Sequence, residues 1–396
     1  MQERGRAFAA AATRRRQAAR GLGSAAAACT RGIARVALLA SFLPAGGCFY
    51  LQAAHGQLEV LAAREPIPDV IADPDTPDDL AERLRLVQEA RDFSIESLGM
   101  PDNGSYRSYA DLGRDYVLWS IFATPEFSLD PLNWCYPVVG CVAYRGYFRN
   151  AAADEKASEL ADRGFDVHVA GVPAYSTLGR FDDPVLNTML RWDDLQLVAT
   201  LFHELAHQLL YIPDDTGFNE SFATAVEEIA VERFLAVREA TATYESYRLR
   251  QRQRRELMTL VGEAREDLRT YFAEMLDDDE KRLLKEDRLE RLTAEIGALY
   301  AARGATPGEF VLGPWNNARL LSFNLYEGWV ASFRQLYEDC ARDLERFYAR
   351  AQAVGELGRD ARDDYLEALA TRSAGSAGCT AASASASRRV SPVSRQ

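Results

Sequence analysis

The sequence predicts an α+β fold, mainly helical. Three observations carry this: short stretches rich in β-branched and aromatic residues in the first half, almost unbroken helical periodicity from about Leu186 onward, and the segment His203-Glu204-Leu205-Ala206-His207 inside the helical part. The 396 residues are 47% hydrophobic and 27% charged, enough apolar material for a substantial core. The formal net charge is −13, which argues against a nucleic-acid partner, since such binding normally needs a basic face.

The elements follow in order. Residues 1–47 carry eight Arg against one Glu and end in the apolar run Val36 to Leu43, followed by Ala45-Gly46-Gly47-Cys48. Basic, then apolar, then small is the order of an export signal, and the run is too short for a permanent membrane span. Small residues before Cys48 resemble a bacterial lipoprotein cleavage site, with Cys48 the lipidated first residue. The expected location is therefore the cell envelope, lipid-anchored and facing the periplasm. A buried or unstructured N-terminus is the competing reading.

Two helical stretches, about 49–64 and 78–98, flank a Pro/Asp-rich segment from Pro66 to Asp78 that lacks a repeating apolar pattern. Strands are predicted at about 115–124, 138–149 and 165–175, with a helix between the last two, forming a small sheet. A charged stretch from Tyr244 to Arg303, broken at Asp277-Asp278-Asp279, predicts a long helical hairpin. One domain is thus expected over 48–371, with a disordered Ser/Ala/Gly/Arg-rich tail over 372–396. Of six cysteines, Cys135 and Cys141 flank Pro137 and Gly140, whose turn can bring the sulfurs together as a disulfide; two buried thiols are the alternative.

The chemistry sits in the histidines. His203 and His207, two of only four His in the chain, stand at i and i+4 on one helix face, so both imidazoles can reach one cation, and zinc is the expected ion. Glu204 lies about 100° round the helix, off the ligand direction yet beside the site, and is the expected general base. No His follows His207, so the third ligand must be a carboxylate. Glu220, in Phe218-Asn219-Glu220-Ser221-Phe222 on the next helix, is expected, with Glu227 as competitor; as ligand, Glu220 would have Thr224 and Glu227 on its own face as supports for the histidines.

His203-Glu204-x-x-His207 with Asn219-Glu220 resembles the gluzincin metallopeptidases. The step of 13 residues from His207 to Glu220 is shorter than in their thermolysin-like and leucyl-aminopeptidase-like groups. The segments Cys135 to Phe148, Gly171 to Gly179, Phe181 to Thr188, the two metal helices and Asn316-Asn317-Ala318 are similar to predicted aminopeptidases found as lipoproteins in Gram-negative bacteria. The resemblance covers about residues 48–350. It implies a zincin-like fold and zinc-dependent removal of N-terminal amino acids from peptides. The alternatives are a non-catalytic zinc-binding envelope scaffold and an endopeptidase or amidase acting on cell-envelope substrates.

For substrate handling, Gly171 to Gly179 is the candidate edge strand for an extended peptide, with an ordinary loop as its rival. Tyr175 and Tyr326 are candidate donors to the transition state, His168 a structural histidine. Asp182, Asp183 or Glu227 is the candidate anchor for a free α-amino group.

Overall fold

The computed structural model describes residues 47–136, 140–306, 308–324 and 328–370. The expected export signal, the C-terminal tail and Tyr326 lie outside the described residues. The chain divides into two compact units, Met1–Gln57 and Leu58–Gln396. Of the first, the described part is the opening of helix α1 (Gly47–Ala62), in whose first turn Cys48 falls.

In the second unit, the Pro/Asp-rich segment departs from expectation by holding two ordered elements. Strand β1 (Arg64–Pro66) is followed by helix α2 (Ile67–Ala72), which buries Ile67 and Val70. Both are too short for a period to repeat visibly, and Pro68 suits a first helical turn. Helix α3 is Asp78–Glu96 and strand β2 Ser108–Ala110.

Strand β3 (Leu118–Pro125) is the centre of a small antiparallel sheet. The stretch expected as one strand over 138–149 breaks at Ala143: β4 (Trp134–Tyr136) and β5 (Gly140–Val142) pair as a hairpin, while β6 (Tyr144–Tyr147) pairs with β3. Helix α4 (Asn150–Asp162) leads to β7 (Phe165–Val172), and the order is β6-β3-β7. A second sheet forms when β8 (Val185–Leu186) runs parallel to β2, with β1 on its other side.

Beyond this the chain is helical. Helices α5 (Asp194–Leu209) and α6 (Thr216–Val237) pack on each other, then come α7 (Thr241–Ala273), α8 (Asp278–Ala301), α9 (Glu309–Leu312), α10 (Asn317–Asn324), α11 (Val330–Asp339), α12 (Leu344–Gly355) and α13 (Arg359–Ala370). The hairpin of α7 and α8 turns at Asp277, which caps α8 in a reciprocal pair with Glu280. Lys285 on α8 meets Asp166 of β7 at 2.7 Å and Arg282 meets Glu126 at 2.6 Å, tying the hairpin to the sheet. Among the described residues no helix is long and apolar enough to cross a membrane.

Helices α5 and α6 are buried nearly all round, as a helix in the centre of a core must be. Phe93 of α3 packs against Phe202 and Phe234, and behind α6 the rings of Phe218 and Phe222 meet Phe333 and Phe347. Each fully buried ring contributes about 1.5–3 kcal/mol. The two central helices are therefore clamped from both sides.

Candidate metal centre

Each central helix starts on a side-chain cap. Asp193 accepts from the Gln196 N–H to open α5, and Asp215 accepts from the Phe218 N–H to open α6. Asp215 is itself held by Arg362 at 2.5 Å, both side chains buried. The link between the helices carries Asp214 in the left-handed region (φ 67°), where Asp is tolerated. Its carboxylate accepts from the Cys141 N–H at 2.6 Å. Cys141 is bonded to Cys135 directly across the β4–β5 hairpin, so the disulfide hairpin braces the turn between the two helices.

These supports bring His203, His207 and Glu220 together, with ligand atoms within 4.8 Å of one another. The Nε2 atoms of His203 and His207 lie 3.3 and 3.6 Å from one Glu220 oxygen. Donors about 2.0–2.2 Å from a tetrahedral zinc stand roughly 3.3–3.5 Å apart, so the spacing and the donor types fit that ion. Glu227, one of the two carboxylates considered for the third position, instead reaches the far nitrogen of His203, Nδ1, at 3.2 Å. That orients the ring from behind. Nδ1 of His207 is buried without a hydrogen-bond partner among the described residues.

Electrostatics tie the group together. Burial opposes a charged His203, but hydrogen bonds to Glu220 and then Glu227 outweigh it and raise its pKa to about 10. Burial likewise opposes charge on Glu220, and the charge of His207 with hydrogen bonds to both histidines brings it down to about 2. Such a strongly polarised, buried cluster is what a cation replaces when it displaces the proton. Glu204 is buried beside the group and belongs to no hydrogen bond with it. Burial raises its pKa, against the lowering effect of His203 and His207.

The other candidates fall out as follows. Of Gly171 to Gly179 only Gly171 and Val172 lie in the edge strand β7; Pro173 ends it, and Leu178 and Gly179 have positive φ, so the rest is loop. Tyr175 packs edge-on against Phe148 at 5.9 Å. His168 sits opposite Phe122 and stacks on its ring, and burial, then Arg319, lowers its pKa to about 4, leaving it neutral. Both Asp183 oxygens accept from Thr177, while burial raises that carboxyl to about 6. Asp182 is exposed. Asn316 and Asn317 hold the sheet, through Val167, Asp166 and Glu126, rather than the metal centre.

One residue had no signal in the sequence. Tyr106, in the loop between α3 and β2, is fully buried at φ 61° with a hydroxyl that has no hydrogen-bond partner among the described residues. Burial, then the charges of Glu204 and Asp183, keep its phenol protonated. The loop is fixed by buried Arg91, which donates to Ser105, Pro101 and Asn103 carbonyls, and by Gln208 on α5, which bonds Asn103 and Ser105. A tyrosine in a polar loop shows no periodicity by which to find it.

Fold and site together define a mainly helical α+β protein with a buried two-histidine, one-carboxylate group that can hold a metal ion. Residues 48–366 match the family described as "Putative aminopeptidase", and the chain belongs to that family. No curated protein and no solved structure matches the chain.

Proposed function

We propose that the protein is a zinc-dependent peptidase of zincin-like fold that removes N-terminal amino acids from peptides. The observation that carries this is the convergence of His203, His207 and Glu220 at zinc-donor spacing beside a buried carboxyl, Glu204, that makes no hydrogen bond to them. The family match supports the aminopeptidase part.

Zinc held by those three side chains supplies Lewis acidity toward a water molecule and a peptide carbonyl. Glu204 accepts the proton of the attacking water and returns it to the departing amine. Its raised pKa suits both halves of that task, since a stronger base accepts more readily and its acid form is still able to donate. Glu227 fixes the His203 ring and its tautomer through Nδ1. The protonated Tyr106 hydroxyl lies in the field of Glu204. From the sequence alone, the basic-apolar-small order before Cys48 and the resemblance to gluzincin-type lipoproteins of Gram-negative bacteria favour a lipid-anchored protein of the cell envelope facing the periplasm.

The test is metal analysis and peptide cleavage on Glu204→Gln beside Glu220→Ala. Glu204→Gln should keep zinc and lose cleavage, whereas Glu220→Ala should lose both. Unblocked peptides should shed single N-terminal residues while N-acetylated ones stay intact. Cleavage within blocked peptides would move the assignment to an endopeptidase.

A further inference from the structure

Next to the metal centre is a cavity of about 820 Å³ between α6, α7 and α11, within the size range of small-ligand sites. It begins at Thr224, one turn after Glu220 and so about 6 Å further along the α6 axis. Its α6 wall continues through Glu228 and Glu232. The opposite wall, on α7, presents Arg248, Arg252 and Arg255, spaced at four and three residues on one helix face, and Arg334 enters from α11.

The acidic wall is already matched. Glu232 is held by Arg334 at 3.1 Å and Arg342 at 2.9 Å, and Glu228 lies 3.6 Å from Arg255 and 3.8 Å from Arg334. Arg248 rests over the Tyr244 ring, and among the described residues neither Arg248 nor Arg252 has a carboxylate at ion-pair distance. Two guanidinium groups thus line the cavity with donors to spare. Helices α6 and α7 run back along each other from a short turn, with Tyr244 at the level of Glu232 and Tyr247 near Glu228. Arg255, three residues beyond Arg252, reaches Glu228, and Arg248 and Arg252 line the same cavity as Thr224.

We propose that this cavity receives a carboxylate of the peptide substrate, held by Arg252 and Arg248, and that the source is the free C-terminus of a short peptide. The placement rests on the peptidase reading above. Extended peptide covers about 3.3 Å per residue, so the cavity's edge at Thr224, about 6 Å from Glu220 along α6, lies roughly two residues past a bond at the metal centre. Guanidinium meets carboxylate in a paired, planar geometry that a terminal amide cannot reproduce. The substrate class is then short peptides, tripeptides and upward, with a free C-terminus.

The test is calorimetric binding to the zinc-loaded full chain carrying Glu204→Gln, which leaves the peptides uncleaved. The probes are tri-alanine, tri-alanine amide and Ala-Glu-Ala amide. Tri-alanine should bind about tenfold or more tightly than its amide, as loss of a charge-assisted contact implies. That gap should vanish when Arg248→Gln and Arg252→Gln are added; both positions are exposed, so thermal unfolding should not move. Recovery of tight binding by Ala-Glu-Ala amide would retain the carboxylate site and transfer its source to an acidic side chain. Equal binding of acid and amide, a gap that survives both substitutions, or no binding of any probe would overturn the proposal. Cleavage by the unsubstituted chain is read separately: a binding gap without cleavage sinks only the peptidase reading, and cleavage without a gap sinks only the carboxylate site.

Discussion

Asn219 clasps the backbone of Ile212 on both sides, its amide nitrogen donating to the Ile212 carbonyl and its oxygen accepting from the Ile212 N–H, each at 2.7 Å. Asn219 directly precedes Glu220, and Ile212 belongs to the link that follows His207. The clasp therefore sets the distance between the histidine helix and the carboxylate helix. Its neighbour Glu220 can be a ligand because Asn219 is a staple.

Asn219→Ala should consequently lower stability by about 1–2 kcal/mol, since two half-buried backbone groups lose their partner, and should weaken zinc binding although no ligand is removed. Asn219→Asp keeps the acceptor for the Ile212 N–H but sets a carboxylate against the Ile212 carbonyl, so it should be no better. Thermal unfolding with and without zinc checks both. A normal zinc affinity in either variant would detach the clasp from the metal centre.

Glu227→Gln tests the support behind His203. The amide is isosteric but can present its NH₂ to Nδ1, which loosens the ring and its tautomer. Zinc affinity should fall about 10- to 100-fold, with the fold intact. By contrast, Glu220→Ala should abolish stoichiometric binding. Competition titration against a chelator separates the two outcomes, and equal losses would make Glu227 a ligand rather than a support.

The metal centre was legible in the sequence because its information is local: two histidines four apart share a helix face, and the Asn-Glu pair begins the next helix. The division of labour between Glu220 and Glu227 was expected in this sense but left Glu227 as a competitor, since seven residues on one helix leave both near the same face. Only the packing angle of α6 on α5 assigns Glu220 to Nε2 and Glu227 to Nδ1. Likewise the long helices and strand β3 declare themselves by period. The β1-β2-β8 sheet is built from strands of two or three residues that pair across long loops, too short to show alternation. Tyr106 comes within the field of Glu204 through a loop whose course depends on buried Arg91, and no spacing rule encodes that.

The ionised cluster makes a pH prediction for the metal-free protein. His203, raised to about 10 from 6.5, contributes its full stabilisation below about pH 6.5 and loses it as pH rises through about 10. Glu220, lowered to about 2 from 4.5, contributes above about pH 4.5 and loses it as pH falls toward 2. The melting temperature without metal should therefore be highest between about pH 4.5 and 6.5. Zinc must displace the His203 proton, so the rise in melting temperature on adding zinc should grow with pH. A zinc increment that is flat with pH would remove His203 from the ligand set.

The last prediction concerns Arg362, which bonds Asp215 at 2.5 Å where both are buried, and donates as well to the Gly355 carbonyl. Asp215 caps α6, so this contact links the final helix to the start of the helix that carries Glu220. Removing the cation leaves a buried carboxylate with Arg359 only at 3.9 Å, and breaking a buried pair from one side costs about 3–5 kcal/mol. Arg362→Met should show that loss in chemical unfolding. Because the uncompensated charge sits on the cap, part of the damage should appear as weaker zinc binding. The double variant Arg362→Met with Asp215→Ser removes the stranded charge and keeps a capping hydroxyl, so it should recover much of both. If the double variant is no more stable than Arg362→Met, the arginine acts through its packing on Phe218, whose ring lies 5.3 Å from the guanidinium, and not through Asp215.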